Sequence, residues 1–123
     1  MKILTVDDKA DIVFLVSTIL ELEGYEVKSA TNGFTAVTLC NDTKFDLILL
    51  DLMMEGKDGY TTLTEIREND LNKDTHIIAL TAKAYENDKE EVIKRGFNDH
   101  FSKPFRSTEL IDIVRSIQKT LSL

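Results

Sequence analysis

Phe45-Asp46-Leu47-Ile48-Leu49-Leu50-Asp51 carries four apolar residues in a row, Leu47 to Leu50, directly into a carboxylate. A short continuous apolar run suits a strand buried on both faces of a parallel sheet, where no polar face has to alternate with an apolar one. An acid at the carboxyl end of such a strand stands in the crevice where open α/β sheets hold their chemistry. Whether a sheet of that kind exists depends on the flanking sequence.

On the N-terminal side, Lys2-Ile3-Leu4-Thr5-Val6 is a second β-rich run, and it ends in Asp7-Asp8. Ile12, Leu15, Val16, Ile19 and Leu20 then recur at helical spacing. They predict a first helix over roughly Lys9 to Glu23, with Asp8 as N-cap and Gly24 as the stop. Tyr25 to Ser29 alternates apolar and polar, as an edge strand with one wetter face does. Thr31-Asn32-Gly33 is a turn and cap signal, and Phe34, Ala36, Val37 and Cys40 give a second helix.

On the C-terminal side, Met53 to Gly59 reads as a loop with two glycines, and a third helix runs to about Glu68 with Leu63 and Ile66 inward. Glu68 to Asp74 is polar and reads as a surface connection. His76-Ile77-Ile78-Ala79-Leu80 is another buried strand, ending in Thr81. Ala84 to Arg95 is a highly charged helix with few inward residues (Tyr85, Val92, Ile93), closed by Gly96. Asn98 to Ser102 is a fifth strand running into Lys103-Pro104. A last helix from near Ser107 carries its inner stripe on Leu110, Ile113, Val114, Ile117 and Leu121.

Strand and helix alternate five times, which predicts an α/β fold: a five-stranded parallel sheet, helices on both faces, right-handed crossovers. With 123 residues, 42% of them hydrophobic, one domain over 1–123 with its own core is expected. The single cysteine, Cys40, excludes an internal disulfide framework and a cysteine-based metal site, and reads as core packing. No apolar run reaches membrane-spanning length, and Asp7 arrives too early for a signal peptide, so a soluble cytoplasmic protein is expected. The net charge of -7 argues against non-specific nucleic-acid binding.

Asp7-Asp8 follow the first strand, Asp51 the third, Thr81 the fourth and Lys103 the fifth. In the flavodoxin-like doubly wound order 2-1-3-4-5, the first and third strands are neighbours at the switch point and these ends share one rim. Carboxylates gathered at ~4 Å repel by roughly 4 kcal/mol per pair at an effective dielectric near 20, so a compensating cation is needed. Lys103 supplies one charge. A hard divalent cation, Mg²⁺, suits the rest, because it takes one or two carboxylates plus waters and phosphate oxygens. Asp51 can then attack a phosphoryl group as a carboxylate nucleophile, with the Thr81 hydroxyl on a phosphoryl oxygen.

Asp7-Asp8, Asp51, Thr81-Ala82 and Lys103-Pro104-Phe105, in that order and spacing, resemble the receiver domain of two-component response regulators over essentially the whole chain. The resemblance implies the 2-1-3-4-5 sheet, Asp51 as phosphoacceptor, Asp8 as direct Mg²⁺ ligand and Asp7 as a ligand acting largely through water. It further implies that the Met53 backbone carbonyl completes the metal site, that Thr81 is a switch hydroxyl, that Lys103 binds phosphate and that Lys103–Pro104 is a cis peptide. The implied partners are a sensor histidine kinase or histidine phosphotransfer protein, and an effector protein reading the face of helix 4, strand 5 and helix 5. A monomer is implied, with dimerisation on phosphorylation as the alternative, and no direct contact with nucleic acid or membrane. No output domain is visible, so a stand-alone regulator or relay intermediate is expected.

Two positions depart from the family pattern. Glu55 stands where the loop after the acceptor usually carries a proline, which predicts a looser loop with extra charge near the site. His100 stands at the family's switch aromatic, where an imidazole can also titrate. Taken alone, each motif has a plainer reading: a helix N-cap for Asp7-Asp8, a strand-end cap for Thr81, a solvated lysine before a turn for Lys103. Three other functions fit less well. A haloacid-dehalogenase-like phosphatase needs an acid two residues after the nucleophile, where Met53 stands. A flavodoxin-like cofactor binder needs a phosphate cradle, where Asp7-Asp8-Lys9-Ala10-Asp11 repels phosphate. A degenerate, binding-only receiver does not need the intact acid set.

Overall fold

The computed structural model describes residues 1–82 and 89–123. They form β1 (Lys2–Val6), α1 (Ala10–Leu22), β2 (Glu26–Ala30), α2 (Gly33–Asp42), β3 (Leu47–Asp51), α3 (Gly59–Glu68), β4 (His76–Ala82), α4 (Lys89–Lys94), β5 (Asp99–Lys103) and α5 (Ser107–Thr120). The expected helix start at Ala84 and the expected inward Tyr85 lie outside the described residues. The strands pair in parallel in the order β2-β1-β3-β4-β5, the flavodoxin-like doubly wound sheet.

β3 is central and every one of its residues is buried. Strand alternation divides the core in two. Ile48 and Leu50 pack with Ala36, Cys40, Leu63, Ile66 and Val92 under α2, α3 and α4. Leu47 and Leu49 pack with Val16, Leu20, Leu110, Val114 and Ile117 under α1 and α5. Each of these β3 side chains, fully buried, is worth about 1.5–3 kcal/mol, so the apolar run is a large fraction of the net stability of a domain this size.

Helix ends follow their local chemistry. At the end of α1, Gly24 takes φ +92°. Its N–H donates to the Glu21 carbonyl at 3.0 Å and the Tyr25 N–H to the Leu20 carbonyl at 3.2 Å, which is a Schellman closure. Asn32 caps α2 and Asp58 caps α3, each accepting an N–H three residues on at 2.8 Å. Asp8 does not cap α1: the N-cap is Lys9, and the carboxylates of Asp7 and Asp8 turn to other partners.

The inward stripes are also displaced in places. Val13, Val16, Ser17 and Leu20 face inward from α1, while Leu15 is exposed. In α2 the inner stripe is Gly33, Ala36 and Cys40, small residues that let the helix approach its neighbours, and Phe34 is 63% exposed instead. Ile93 and Leu121 are exposed as well; Val92 is the buried residue of α4, and Leu121 falls past the end of α5.

The polar stretch before β4 hides an anchor. Asn72 is fully buried rather than on the surface. Its side chain accepts the Phe45 N–H at 3.0 Å and donates to the Cys40 and Thr43 carbonyls at 2.6 and 2.7 Å, closing the chain just ahead of β3. His76 opens β4 with Nε2 buried and without a hydrogen-bond partner among the described residues. Burial lowers its affinity for a proton; Asp99 opposes this and Arg67 adds to it.

A histidine whose folded pKa is depressed is neutral in both states above about pH 6.5, and below that the unfolded chain binds the proton first. Stability is therefore lost as pH falls below about 6.5. Denaturant unfolding at pH 7.5 and 5.5 checks this: His76→Leu should lose less stability than the wild type over that interval.

Candidate functional site

Adjacent register of β1 and β3 brings Asp7, Asp8 and Asp51 together at the carboxyl rim. One carboxylate oxygen from each lies within 4.8 Å of the others. Asp7 and Asp51 are buried. Lys103, at the end of β5, reaches in between them, with Nζ 2.8 Å from Asp7 Oδ2 and 3.4 Å from Asp51 Oδ1. The Lys103–Pro104 peptide is cis. Asp7 Oδ1 accepts the Lys9 N–H at 3.0 Å. Asp8 Oδ2 accepts the Glu55 N–H at 3.2 Å, and Lys9 Nζ sits 3.5 Å from Asp8 Oδ1. Met53 N–H points to Asp51 Oδ1 at 3.4 Å, while its side chain is 58% exposed.

The two aspartates at the edge of this pocket titrate in opposite directions. Burial, and then the neighbouring charge of Asp7, push the Asp51 carboxyl up to about 6 against the pull of Lys103. Burial also acts upward on Asp8, but the Glu55 N–H and Lys9 outweigh it and its pKa is lowered. Asp51 Oδ2, Asp8 Oδ1 and Thr81 Oγ1 are buried atoms without a hydrogen-bond partner among the described residues, Asp8 Oδ1 having only the Lys9 ammonium at 3.5 Å. Buried polar atoms are rarely left so, and here they converge on one rim. An all-oxygen donor set with two such atoms fits a hard cation of the Mg²⁺ kind.

Thr81 lies one residue beyond Leu80, the register partner of Asp51, at the same rim. His100 is level with Ala79, deeper in the sheet, and on the same sheet face as Thr81 by strand alternation. Its Nε2 is buried without a hydrogen-bond partner among the described residues. The acids and Lys103 thus form one cluster, Thr81 borders it, and His100 stands apart from it.

Two residues that shape the site were not singled out in the sequence. A Cβ on Gly59 would come within 2.5 Å of the Asp51 carbonyl oxygen and 2.7 Å of Leu52 Cα, so the first turn of α3 rests directly on the backbone of the acid. Its position at the end of a loop reads only as a turn signal. Lys57 is the other: its side chain is 12% exposed and ion-pairs with Glu65. A lysine in a polar loop gives no sign of burial.

A doubly wound parallel sheet with a lysine-bridged acid cluster on its carboxyl rim is the architecture of a receiver module in two-component signalling. The chain belongs to the response regulator receiver domain family, whose model it matches over residues 3–115. It is 40% identical over 121 residues to the transcriptional regulatory protein ResD of Bacillus subtilis (strain 168), covering 98% of this chain and 49% of that protein. The chain spans about half the length of the curated relatives it matches. Among solved structures, the Francisella response regulator 1452 receiver domain superposes with a TM-score of 0.87 at 32% identity, covering 98% of both chains. The receiver domain of the sensor histidine kinase PA1611 from Pseudomonas aeruginosa PAO1, with a magnesium ion coordinated in its active site cleft, gives 0.82 at 33% identity over 96% of this chain and 94% of that one. No helix among the described residues is long and apolar enough to cross a membrane.

The raised Asp51 pKa has a sign that can be tested. The folded state holds this proton more tightly than the unfolded chain, so the carboxylate costs stability at pH values above about 6 and ceases to do so below about 4. In metal-free buffer, Asp51→Asn should raise stability at pH 7.5 by roughly 1–3 kcal/mol, and the gain should vanish near pH 4. Chemical denaturation in EDTA at both pH values reads the difference.

Proposed function

We propose that the chain is a phosphoacceptor whose acceptor is Asp51. The observation that carries this reading is Asp51 Oδ2, a buried carboxylate oxygen with no hydrogen-bond partner among the described residues, beside a lysine that already bridges two acids. The donor is a phosphohistidine on a sensor kinase or phosphotransfer protein. Asp51 Oδ2 attacks phosphorus, the P–N bond breaks with its electrons going to the imidazole, and an acyl phosphate remains on Asp51. Lys103 Nζ takes up a phosphoryl oxygen, and the Thr81 hydroxyl, unpartnered among the described residues, donates to another; the nearness of Lys103 to Asp51 supports this reading. Asp7, Asp8, Asp51 and the Met53 carbonyl would hold Mg²⁺, which offsets negative charge on the transferring group when bound. The chemistry is confined to the chain's own phosphorylation and dephosphorylation, with no separate substrate turned over.

The signal then leaves through Thr81 and the face of α4, β5 and α5, where His100 takes the place of the switch aromatic. An effector protein reads that face, and the phosphorylated form is also the one that would dimerise. Residues 1–123 act as one receiver unit in the cytoplasm, without direct contact of this domain with nucleic acid or membrane. Phosphorylation supplies charge worth a few kcal/mol of bias to a two-state element.

Labelling with a small phosphodonor tests the acceptor. Wild type with Mg²⁺ should take up one phosphoryl group, Asp51→Asn none, and label persisting on Asp51→Asn would place the acceptor elsewhere. Mg²⁺ should also raise the melting temperature of wild type, because it binds only the folded acid cluster. Lys103→Ala should keep the fold yet lose phosphorylation-dependent partner binding in a pull-down with and without a phosphoryl mimic.

A further inference from the structure

The loop that follows Asp51 lacks the family's proline at Glu55, and yet it is held from its far end. Lys57 lies with Nζ 4.5 Å from the centroid of the Phe34 ring and ion-paired with Glu65 of α3. Phe34 is the residue that the helical pattern placed inside the core and that the fold leaves outside, over this loop. The same ring is 3.9 Å from where a Cβ on Gly56 would stand, and Gly56 takes φ +82°. A Cβ on Gly33 would meet Lys57 Cδ at 2.9 Å, so the lysine stem is packed on that side too. Lys57 is therefore clamped between the first turn of α2 and the body of α3.

From this clamp a short hydrogen-bonded path runs to the acid cluster. The Lys57 N–H donates to the Glu55 carbonyl at 3.1 Å, and the Glu55 N–H donates to Asp8 Oδ2 at 3.2 Å. On the other side the Gly59 N–H donates to the Leu52 carbonyl at 2.9 Å. In the stretch between, Met53 and Glu55 are exposed, and the buried Met54, the Met53 N–H on Asp51 Oδ1 and the Asp58 cap are its other attachments. The carboxylate of Glu65 and the face of the Phe34 ring both favour this position of the Lys57 ammonium.

We propose that Lys57 is a positioning residue for the cation site. Held by Phe34 and Glu65, it sets the 53–57 backbone so that the Glu55 N–H engages Asp8 and the Met53 N–H stays on Asp51 Oδ1. It supplies by side-chain packing the rigidity that a proline supplies by its ring. The inference rests on the Mg²⁺ reading above, and its test separates the two.

Mg²⁺ is titrated by calorimetry and by amide NMR into wild type, Lys57→Ala, Lys57→Arg, Glu65→Gln and Phe34→Leu, each also melted in EDTA. Lys57→Ala should lose about tenfold in Mg²⁺ affinity, the scale of outer-shell effects on metal sites. The Met53 and Glu55 amides should shift in its metal-free spectrum. Lys57→Arg, which keeps the charge and stacks on an aromatic face, should return to within about twofold of wild type. Glu65→Gln and Phe34→Leu should each show a smaller loss. Lys57→Ala binding Mg²⁺ as tightly as wild type, with only its melting temperature lowered, overturns the proposal. Should Lys57→Ala fail to fold, unchanged affinity in both Glu65→Gln and Phe34→Leu overturns it. A wild type that binds no Mg²⁺ removes the cation reading itself, and the positioning role with it.

Discussion

One ammonium group between two buried carboxylates is the constraint on which the rest of the rim depends. Lys103 bridges Asp7 and Asp51, and Asp8 adds a third acid within 4.8 Å. Carboxylates at that spacing repel by about 3–4 kcal/mol per pair at an effective dielectric near 20. The lysine relieves part of this and leaves the pocket negative. The strands that deliver the acids must therefore be secured elsewhere, and the double-sided burial of β3 and its pairing with β1 and β4 does that. Stability resides in the apolar run, and the carboxylate at its end can be held at a cost that a bound cation would offset.

The backbone beyond Asp51 is restricted just as closely. Gly59 has no room for a side chain against the Asp51 carbonyl, which brings α3 directly onto the acid. At the other end of β3, Asn72 closes the entry to the strand with three hydrogen bonds to the backbone of Phe45, Cys40 and Thr43. Both ends of the strand are thus pinned by residues outside it, one by being small and the other by being polar and buried.

Elements with a strong period were readable from the chain alone: the five strands, their polar ends, and the caps at Gly24 and Asn32. A run such as Leu47 to Leu50 can be buried only one way, and charges at strand ends share a rim whenever strands run parallel. What escaped were residues whose environment is set by something distant. Phe34 fits the inward stripe of α2, but Gly33, Ala36 and Cys40 are small enough to bring the helix close, and the ring turns to Gly56 and Lys57. Asn72 looks like linker until three backbone groups converge on it. Asp8 has the right chemistry for a cap and sits next to a helix, yet the Glu55 N–H and Lys9 claim it. Lys57 gives no sign of its burial either, because its pairing with Phe34 and Glu65 crosses from one helix to another and leaves no local pattern.

The helix that rests on Asp51 also grips the segment leading into β5. At its first turn, the Tyr60 ring meets Phe97 edge to face at 5.9 Å, with the Arg95 guanidinium 4.0 Å from its centroid. Near its last turn, Arg67 donates to the Gly96 carbonyl at 3.1 Å and to Asn98 Oδ1 at 2.8 Å, and the same oxygen accepts the Ile77 N–H at 2.8 Å. The turn between α4 and β5 is therefore fastened to α3 at two points and to β4 at a third. Contact is not coupling by itself. It does limit which motions are cheap: displacement of the C-terminal end of α4 must break an aromatic contact and a guanidinium clamp. A rigid sliding of the whole of α4 is therefore opposed by the contacts that α3 makes with the Arg95–Asn98 turn.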